Sequence, residues 1–327
     1  MIDNSIKIGV VGVGHLGQHH VKHYKSLGSA ELVGIFDTDK KRAAEISLKY
    51  DVRVFDDLAS LIQAVDALSI VTNTQDHAII AEICIKKKKH VFIEKPITAT
   101  LEEADRLLVI AKENGVLIQV GHIERLNPAL LALQPYQINP KFIEIQRLAP
   151  YTSRGTDVPV VLDKMIHDID ILLSLVNAPV KSIQATGLSI LTDSIDIAHA
   201  RIRFNNGTVA SIMSSRVAQD EVRKIKVFQK NLYATLDLLI GSTEIYRITD
   251  NDNNTSEVTV PFEYGDKTEF IAYDKPQLDT SDPLQKELEN FVFSVQGKAT
   301  PIVTGKAGRD ALEFAMEIQR LIIQDIH

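Results

Sequence analysis

A glycine-rich turn between an apolar strand and a helix is the feature that most limits how this chain can fold. The segment Gly12-Val13-Gly14-His15-Leu16-Gly17 follows the β-branched run Ile6–Val11 and opens a stretch with helical periodicity. In such a unit the first glycine permits a tight turn, the second lets the backbone approach a pyrophosphate, and the third lets the helix pack closely on the strand. The helix N-terminus adds N–H groups and the positive end of a dipole. The turn therefore predicts a bound dinucleotide.

An acidic residue at the end of the next strand supports this interpretation. The run Leu32–Phe36 ends in Asp37, twenty residues after Gly17, where a carboxylate accepts hydrogen bonds from an adenosine ribose. The same carboxylate would repel a 2′-phosphate, which favours NAD over NADP. Three cations follow shortly afterwards, namely Lys40, Lys41 and Arg42. They either neutralise a phosphate in part or form the solvated first turn of the next helix, so use of NADP is left open.

A lysine follows a later apolar strand of the same sheet. Val91–Ile93 leads into Glu94-Lys95-Pro96, and ligands of open parallel sheets bind outside the carboxyl ends of the strands. Lys95 is therefore expected in the same cleft as the glycine turn, where a reacting hydroxyl would lie. Together the two features indicate an enzyme that uses a nicotinamide cofactor.

Strands and helices alternate through this first part of the chain, which implies right-handed crossovers and a doubly wound sheet. Six strands are predicted, including Val52–Phe55 and Val116–Val120. From about Gly121 the strands become longer and alternate with period two, and Asn206-Gly207 predicts a type I′ hairpin turn. We therefore predict an α/β protein with a Rossmann domain over residues 1–121. An α+β domain with a largely antiparallel open sheet would follow over residues 122–327.

A second group of chemically useful residues lies in the predicted helix from Asp163 to Asn177. Asp163 and His167 are four residues apart and would share one face, while the apolar side faces elsewhere. A histidine, whose ordinary pKa lies near neutrality, suits removal of a hydroxyl proton, and an aspartate can orient its ring. The alternative is that these residues only form the polar start of a helix, with the histidine hydrogen-bonded within the protein and without a catalytic role. The lysine and the dinucleotide turn favour the catalytic interpretation.

Charge and composition exclude several functional classes. The net charge of −7 over 327 residues argues against a nucleic-acid partner. The single cysteine, Cys84, excludes an internal disulfide. No apolar run reaches membrane-spanning length, and we expect a cytoplasmic protein without a membrane partner. Three histidines recur every fourth residue, at His15, His19 and His23, but no third-ligand pattern accompanies them, and no metal is expected.

These residues together resemble the Gfo/Idh/MocA oxidoreductases over essentially the whole chain. The glycine turn followed by His20 is similar to the family's GxGxxGxxH motif, Glu94-Lys95-Pro96 to its EKP motif, and Asp163 with His167 to its D-x-x-x-H pair. The resemblance implies a C-terminal sheet domain used in substrate binding and oligomerisation, and hydride transfer at a sugar or cyclitol carbon. It also implies that Lys95 binds the reacting hydroxyl, that His167 is the acid/base, and that Asp163 binds substrate or supports the lysine.

The resemblance also suggests which residues bind the ligands. The predicted cofactor-binding residues are Gly12, Gly14, His15, Leu16, Gly17, Asp37, Thr72, Asn73, His77, Glu94 and Lys95. The predicted substrate-binding residues are Arg125, Asn127, Arg147, Tyr151 and Arg154. Two positions depart from the common family pattern: Met165 replaces a glycine and Asn73 a proline. Met165 would affect the floor of the expected substrate pocket, and Asn73 the loop beside the nicotinamide. Neither change removes a reacting group.

Within the family, the segments Gly121–Pro128 and Met165–Asp170 look most like the branch that oxidises the 3-hydroxyl of UDP-N-acetylglucosamine. The expected partner is thus a sugar or sugar nucleotide. Two alternatives stay open: an inositol or free-sugar dehydrogenase of the same build, and a non-catalytic NAD-binding regulator. A broad open sheet also predicts a symmetric oligomer, either a homodimer or a homotetramer.

Overall fold

The structure is a computed structural model and describes residues 5–152, 158–249, 258–265 and 267–326. The chain divides into two compact units. The first contains Met1–Leu126 and Ser281–Glu313, and the second contains Asn127–Thr280 and Phe314–His327. The predicted division at residue 121 thus differs from the observed one chiefly because a late segment of the chain packs with the first unit.

The first unit contains a parallel sheet covered by helices. Its strands are β1 (Ile6–Val11), β2 (Ala30–Phe36), β3 (Ala67–Ile70), β4 (His90–Glu94) and β5 (Ile118–Gly121). The intervening helices are α1 (Gly17–Ser26), α2 (Lys40–Tyr50), α3 (Leu58–Ala64), α4 (Thr74–Lys86) and α5 (Leu101–Asn114). The strand order β2-β1-β3-β4-β5 is that of a doubly wound sheet with all neighbours parallel, which confirms the predicted Rossmann domain.

Local sequence signals set the helix ends in this unit. Thr100 and Glu103 form a capping box at the start of α5, and Gly115 ends that helix in the left-handed conformation with φ of 64°. Asp57 caps α3 by accepting a hydrogen bond from the Ser60 N–H at 2.8 Å. These contacts satisfy backbone groups that the helices leave unpaired, so the sequence alone locates the boundaries.

The predicted strand Val52–Phe55 is wrong. Only Val54 forms a bridge, to Ile35 of β2, and the sheet has five strands rather than six. Two backbone hydrogen bonds of 2.9 Å join Ile35 to Arg53 and Phe55, and the Phe55 ring occupies the space that a Cβ at Gly34 would need. The segment is therefore bonded to β2 only around Ile35, and the chain then continues directly into the N-cap of α3.

The second unit contains a nine-stranded sheet. Its strands are β6 (Phe142–Leu148), β7 (Val180–Leu188), β8 (Ile197–Phe204), β9 (Val209–Ser215), β10 (Val222–Gln229), β11 (Leu232–Asp237), β12 (Ser242–Thr249), β13 (Val258–Tyr264) and β14 (Lys267–Asp274). The order is β13-β14-β12-β11-β10-β6-β9-β8-β7. Every pair is antiparallel except β6 with β9, which is parallel. The predicted largely antiparallel open sheet is confirmed.

Two helices flank β6, the first strand of this unit in chain order. They are α6 (Pro128–Leu131) and α7 (Ile166–Leu175), and a π-helical turn, Val161–Met165, leads directly into α7. The predicted single helix from Asp163 to Asn177 is thus two segments of different pitch. Asp163 lies in the π-helical turn and His167 in the first turn of α7. π-Helical turns are rare and occur frequently at functional sites.

The hairpin between β8 and β9 differs from the predicted type I′ turn. Such a turn requires positive φ at both central residues, but only Gly207 of the Asn206-Gly207 pair is left-handed, with φ of 85°. The Gly207 N–H donates to the Phe204 carbonyl at 3.0 Å, and the Phe204 N–H donates to the Thr208 carbonyl at 2.9 Å. The loop is a type I turn followed by a left-handed glycine, a longer hairpin connection.

The last two helices complete the two units. They are α8 (Pro283–Val295) and α9 (Gly305–Ile326). Leu288, Phe291 and Val292 of α8 are fully buried in the same apolar cluster as β1 and α1, and the ring of Phe291 meets the edge of Phe92 at 5.8 Å. This apolar face explains why the segment Ser281–Glu313, which contains α8, belongs to the Rossmann unit. No helix in the described ranges is both long and apolar enough to cross a membrane.

Candidate active site

The three glycines of the first turn meet different steric demands. Gly12 has φ of 84°, and a Cβ there would lie 2.6 Å from the Val71 carbonyl oxygen. A Cβ at Gly17 would lie 1.9 Å from the Gly12 carbonyl oxygen, so helix and turn approach as closely as backbone allows. A Cβ at Gly14 would meet nothing within 4 Å. The side of the turn at Gly14 is therefore open to a ligand, as a pyrophosphate requires.

The first residues of α1 also suit an anion. His15 and Leu16 are exposed, with 46% of Leu16 accessible. Leu16 occupies the cap position, where it makes no side-chain hydrogen bond, and the first turn contains no acidic residue. A helix N-terminus without a competing carboxylate attracts phosphate through its N–H groups and dipole. The turn and the helix together therefore fit a dinucleotide.

Asp37 lies at the carboxyl end of β2 beside this turn. Its carboxylate accepts the Val13 N–H at 2.7 Å and the Asp39 N–H at 2.9 Å. Arg42 donates to the carbonyls of Val13 at 2.9 Å and Gly14 at 3.3 Å. Asp37 and Arg42 thus both stabilise the glycine turn. Arg42 is not simply a solvated residue of the first helical turn.

The residues after β3 divide into accessible and buried positions. Thr72 is half-buried and Asn73 exposed, whereas His77 is 1% exposed. The His77 ring places Nδ1 2.9 Å from the Pro96 carbonyl and Nε2 3.2 Å from the Thr72 carbonyl. Burial lowers the pKa of His77. The hydrogen bonds to these two carbonyls oppose this shift but do not cancel it. His77 therefore links the loops that follow β3 and β4, with both ring nitrogens facing the main chain.

Glu94 is held at the carboxyl end of β4. Its Oε1 lies 3.2 Å from His20 Nε2, and its Oε2 accepts the Lys95 N–H at 3.2 Å. Burial alone would raise the pKa of Glu94, but the contact with His20, which includes a hydrogen bond, and the charge of Lys95 lower it below its usual value. A Cβ at Gly121 would lie 2.8 Å from the same carboxylate. Lys95 itself is half-buried.

The second unit contains the other predicted catalytic pair. Asp163 and His167 are both half-buried, while Ile166 and Ile169 on the apolar side of α7 are fully buried. The Lys164 ammonium lies 3.7 Å from the Asp163 carboxylate. The buried apolar residues fix the helix, which leaves partial solvent access to the two polar side chains.

Arg147 does not match its predicted role as a substrate-binding cation. It is 6% exposed, and its guanidinium donates to both carboxylate oxygens of Asp168 at 2.9 to 3.0 Å. This ion pair joins β6 to α7. Such a buried pair is engaged within the protein, so Arg147 positions the helix instead of offering its charge to a phosphate.

The other predicted substrate residues lie in different environments. Arg125 is half-buried in a 3₁₀ turn, Ile123–Leu126, and Tyr151 is 46% exposed. The Asn127 amide donates to the Leu238 carbonyl at 3.0 Å and accepts the Ala129 N–H at 3.0 Å, which caps α6. Asn127 therefore has a structural task in addition to any contact with substrate. Arg154 lies outside the described residues.

His20 lies against Glu94, with its Nε2 3.2 Å from the carboxylate, a contact that no sequence pattern predicted. The signal was present, because His20 is the histidine of the GxGxxGxxH pattern, but sequence gives no partner for it.

Across the ranges that the structure describes, no cluster of three or more histidine, cysteine, aspartate or glutamate side chains could hold a metal ion. His15 and His19 meet edge to face at 5.8 Å.

Two family models match the chain. The model described as the oxidoreductase family with an NAD-binding Rossmann fold matches residues 6–122, and the model described as the GFO/IDH/MocA C-terminal domain matches residues 144–231. The two matches correspond to the parallel sheet of the first unit and to part of the nine-stranded sheet of the second. The predicted family and the predicted NAD-binding domain are confirmed.

Several named dehydrogenases are similar to the chain. The UDP-N-acetylglucosamine 3-dehydrogenase of Acidithiobacillus ferrooxidans is 35% identical over 315 residues, covering 96% of each chain. The myo-inositol 2-dehydrogenase of Thermotoga maritima is 28% identical and covers 94% of this chain and 93% of its own length. The solved structure of the Acidithiobacillus enzyme, GnnA, superposes with a TM-score of 0.88 at 34% identity over 98% of both chains.

Proposed function

The chain belongs to the Gfo/Idh/MocA oxidoreductase family, and we propose that it oxidises a ring hydroxyl of a sugar nucleotide to a ketone with NAD as oxidant. The 3-hydroxyl of UDP-N-acetylglucosamine is the proposed target. The observation that carries this proposal is the similarity to the Acidithiobacillus enzyme over nearly the entire chain, in sequence and in backbone structure. The retained lysine, aspartate and histidine add the groups that the chemistry needs.

The first unit is the proposed cofactor domain. Gly12, Gly14 and Gly17 would hold the pyrophosphate against the start of α1, and Asp37 would accept the adenosine ribose hydroxyls. Bound NAD supplies the hydride acceptor. Thr72 and Asn73, at the carboxyl end of β3, would border the nicotinamide end, with His77 fixing their loop from the buried side.

Lys95, His167 and Asp163 are the proposed reacting residues of the chain. The Lys95 ammonium would donate a hydrogen bond to the reacting hydroxyl and stabilise the negative charge that develops on its oxygen. His167 would accept the hydroxyl proton as the general base. Asp163 would hydrogen-bond the substrate or support the lysine. The lysine would thus stabilise the negative charge on the oxygen, and the histidine would receive the proton that leaves it.

The second unit is the proposed substrate domain. A sugar nucleotide needs cations for its diphosphate, and a guanidinium meets phosphate with two parallel hydrogen bonds. Arg125, which lies near the end of the first unit, and Arg154 are the remaining arginine candidates, because Arg147 is engaged with Asp168. Tyr151, which is 46% exposed, would pack against a sugar or a base.

A specific observation favours one alternative function. Similarity to the Thermotoga myo-inositol 2-dehydrogenase extends over most of the chain, and oxidation of a free cyclitol would use the same lysine and histidine. A non-catalytic regulator is disfavoured, because such a protein would have no need of Lys95, Asp163 and His167 together. Substrate identity therefore separates the two enzyme hypotheses.

We also propose a symmetric oligomer that covers the open face of the nine-stranded sheet. Five aromatic rings lie in direct register across neighbouring strands of that face, namely Phe142, Phe228, Tyr233, Tyr246 and Tyr273. Successive ring centroids are 4.7 to 5.8 Å apart, and Phe142 and Phe228 are each 37% exposed. A continuous apolar stripe of this kind suits burial against a symmetry-related copy.

Turnover assays with NAD test the proposed function. NADH absorbance is followed with UDP-N-acetylglucosamine, UDP-glucose, myo-inositol and glucose at equal concentrations. We expect kcat/KM for UDP-N-acetylglucosamine to exceed that for each free polyol by at least about 100-fold, because a site built for specific polar groups discriminates strongly against substrates that lack them. Faster turnover of myo-inositol would transfer the assignment to the cyclitol dehydrogenase.

A further inference from the structure

A buried chain of hydrogen bonds crosses the first unit beneath the lysine-bearing turn. Tyr24 on α1 lies 2.8 Å from Ser69 on β3, measured between the two hydroxyl oxygens. The Ser69 oxygen lies 3.3 Å from Nδ1 of His20, and Nε2 of His20 lies 3.2 Å from Glu94 on β4. Tyr24 and His20 are each 1% exposed and Ser69 is fully buried. We call these four residues the relay.

The direction of each hydrogen bond follows from the protons available. The Tyr24 hydroxyl has Ser69 as its hydrogen-bond partner, and within the described part of the chain it has no other. A buried hydroxyl proton without an acceptor is costly, so Tyr24 donates to the Ser69 oxygen. Burial raises the pKa of Tyr24, which keeps its proton on the ring oxygen. Ser69 then has one proton of its own to donate.

That remaining proton determines the state of His20. Among the described residues, the Ser69 hydroxyl has hydrogen-bond partners in Tyr24 and His20 alone, so its proton is donated to Nδ1 of His20. Nδ1 is therefore an acceptor and bears no proton. A neutral imidazole with an unprotonated Nδ1 has its proton on Nε2. That N–H faces the Glu94 carboxylate, which has only lone pairs to offer when ionised.

Both oxygens of Glu94 are consequently fixed. One accepts the His20 N–H, and the other accepts the main-chain N–H of Lys95 at 3.2 Å. The closeness of Gly121 to this carboxylate leaves no room for a side chain there. The low pKa of Glu94 agrees with an anion that receives two N–H groups in a buried place.

We propose that His20 is a positioning residue: the relay fixes its neutral Nε2–H tautomer, and this N–H holds the Glu94 carboxylate against the main chain of Lys95. The lysine is thereby set at the end of β4 by a chain of contacts that begins on α1. The link to turnover rests on the proposed function, since it matters for rate only if Lys95 binds the reacting hydroxyl. The tautomer and the hold on Glu94 do not depend on the substrate.

Two NMR measurements on the full-length protein test the relay without any substrate. With ¹⁵N-labelled histidine, the His20 ring, assigned by its loss in His20→Gln, should show a protonated Nε2 and an unprotonated Nδ1 at neutral pH. With ¹³C-labelled glutamate, the Glu94 carboxyl, assigned by its loss in Glu94→Gln, should titrate at a higher pH in His20→Leu than in the wild type. A protonated Nδ1, or an unchanged Glu94 titration, would overturn the proposal.

Kinetics supply the third measurement. His20→Leu removes the N–H donor, whereas His20→Gln offers an amide N–H at a similar distance from the backbone. We expect kcat to fall by about 10- to 100-fold in His20→Leu, the usual worth of a hydrogen bond to a buried charge. Most of that loss should be recovered in His20→Gln, and NAD affinity should change little. Equal kcat in His20→Leu and the wild type would refute the positioning role.

Phe92→Leu is the matched control. The Phe92 ring meets the edge of His20 at 5.4 Å but takes no part in the relay, so this change should lower thermal stability while the His20 and Glu94 signals stay as in the wild type. If the wild-type protein turns over neither sugar nucleotides nor polyols, the proposed function fails. The two NMR measurements still decide the relay in that case.

Discussion

Arg147 and Asp168 form a buried, two-oxygen ion pair between strand β6 and helix α7. The side chains are 7% and 1% exposed. Asp168 directly follows His167, the proposed general base, so the pair fixes the start of the helix from which that histidine projects. An arginine that sequence suggests as a phosphate ligand is thus part of the framework of the site.

Arg147→Ala is therefore expected to destabilise the protein. Removing one partner of a buried pair leaves an uncompensated charge, which costs about 3 kcal/mol or more of unfolding free energy. Denaturant unfolding followed by circular dichroism measures the loss. The control is Arg203→Ala, an exposed arginine on β8, which should change stability by no more than about 0.5 kcal/mol. A variant of normal stability with a raised KM would restore Arg147 as a substrate ligand.

Lys95→Ala and His167→Ala test the proposed chemistry. Loss of a positioned acid/base is expected to lower kcat by about 10²- to 10⁴-fold, and loss of the lysine should be at least as damaging because it removes the charge that stabilises the forming oxyanion. NAD affinity, measured by isothermal titration calorimetry, should stay close to that of the wild type. Lys112→Ala, on the exposed side of α5, is the control for Lys95. Near-normal kcat in either active-site variant would move the reacting hydroxyl elsewhere.

Asp37 is expected to set the preference for NAD. Because its carboxylate also accepts the N–H groups of Val13 and Asp39, Asp37→Asn is a cleaner test than Asp37→Ala, which would loosen the glycine turn. The asparagine keeps an acceptor but removes the charge that repels a 2′-phosphate. The ratio of NAD affinity to NADP affinity, measured by calorimetry, should be smaller in Asp37→Asn than in the wild type. Tighter binding of NADP than NAD by the wild type would contradict the argument.

His90 makes stability depend on pH. Its Nδ1 accepts the Leu117 N–H at 3.0 Å, which requires an unprotonated nitrogen. Burial lowers the pKa of His90 below its ordinary value of 6.5, although Asp66 opposes the shift. Below that value the unfolded chain binds a proton that the folded chain resists, so unfolding free energy falls as pH drops below 6.5. Above that value the two states differ little in protonation of this residue.

His90→Asn should weaken this dependence, because the asparagine oxygen can accept the same N–H without titrating near neutrality. Urea unfolding at several pH values between 5 and 8 compares the two proteins. Part of the change in unfolding free energy with pH should remain in the variant, because other histidines, such as His23 and His77, also have a lowered pKa. Identical slopes in both proteins would show that His90 is not a source of the pH dependence.

The aromatic stripe on the nine-stranded sheet predicts the oligomer interface. Tyr233→Glu places a charge in the middle of the stripe, between Phe228 and Tyr246, and should dissociate the oligomer because burying an unpaired carboxylate is costly. Light scattering at micromolar concentration gives the mass. Lys181→Glu, an exposed position on the edge strand β7, is the control. A wild-type protein that is monomeric at that concentration would refute the proposal.

The sequence by itself determined the Rossmann domain and the candidate reacting residues. Strand, glycine turn, helix and terminal acid have fixed spacings, because each residue acts on its immediate neighbours in the chain. The capping box of α5 is a local feature for the same reason: Thr100 and Glu103 are within one helical turn. The alternation of β6, with Ile143 and Ile145 buried, also follows from strand geometry alone.

Only the tertiary structure decided which distant residues meet. The sequence contains no signal that α8 returns to the Rossmann core, that Arg147 is paired with Asp168, or that His77 binds two loops by their carbonyls. His20 likewise finds Glu94 across 74 positions of the chain. The free energy of such contacts depends on burial and on the geometry of both partners, and neither quantity is a property of a local segment. Local rules therefore set the elements, and packing set the roles of their polar side chains.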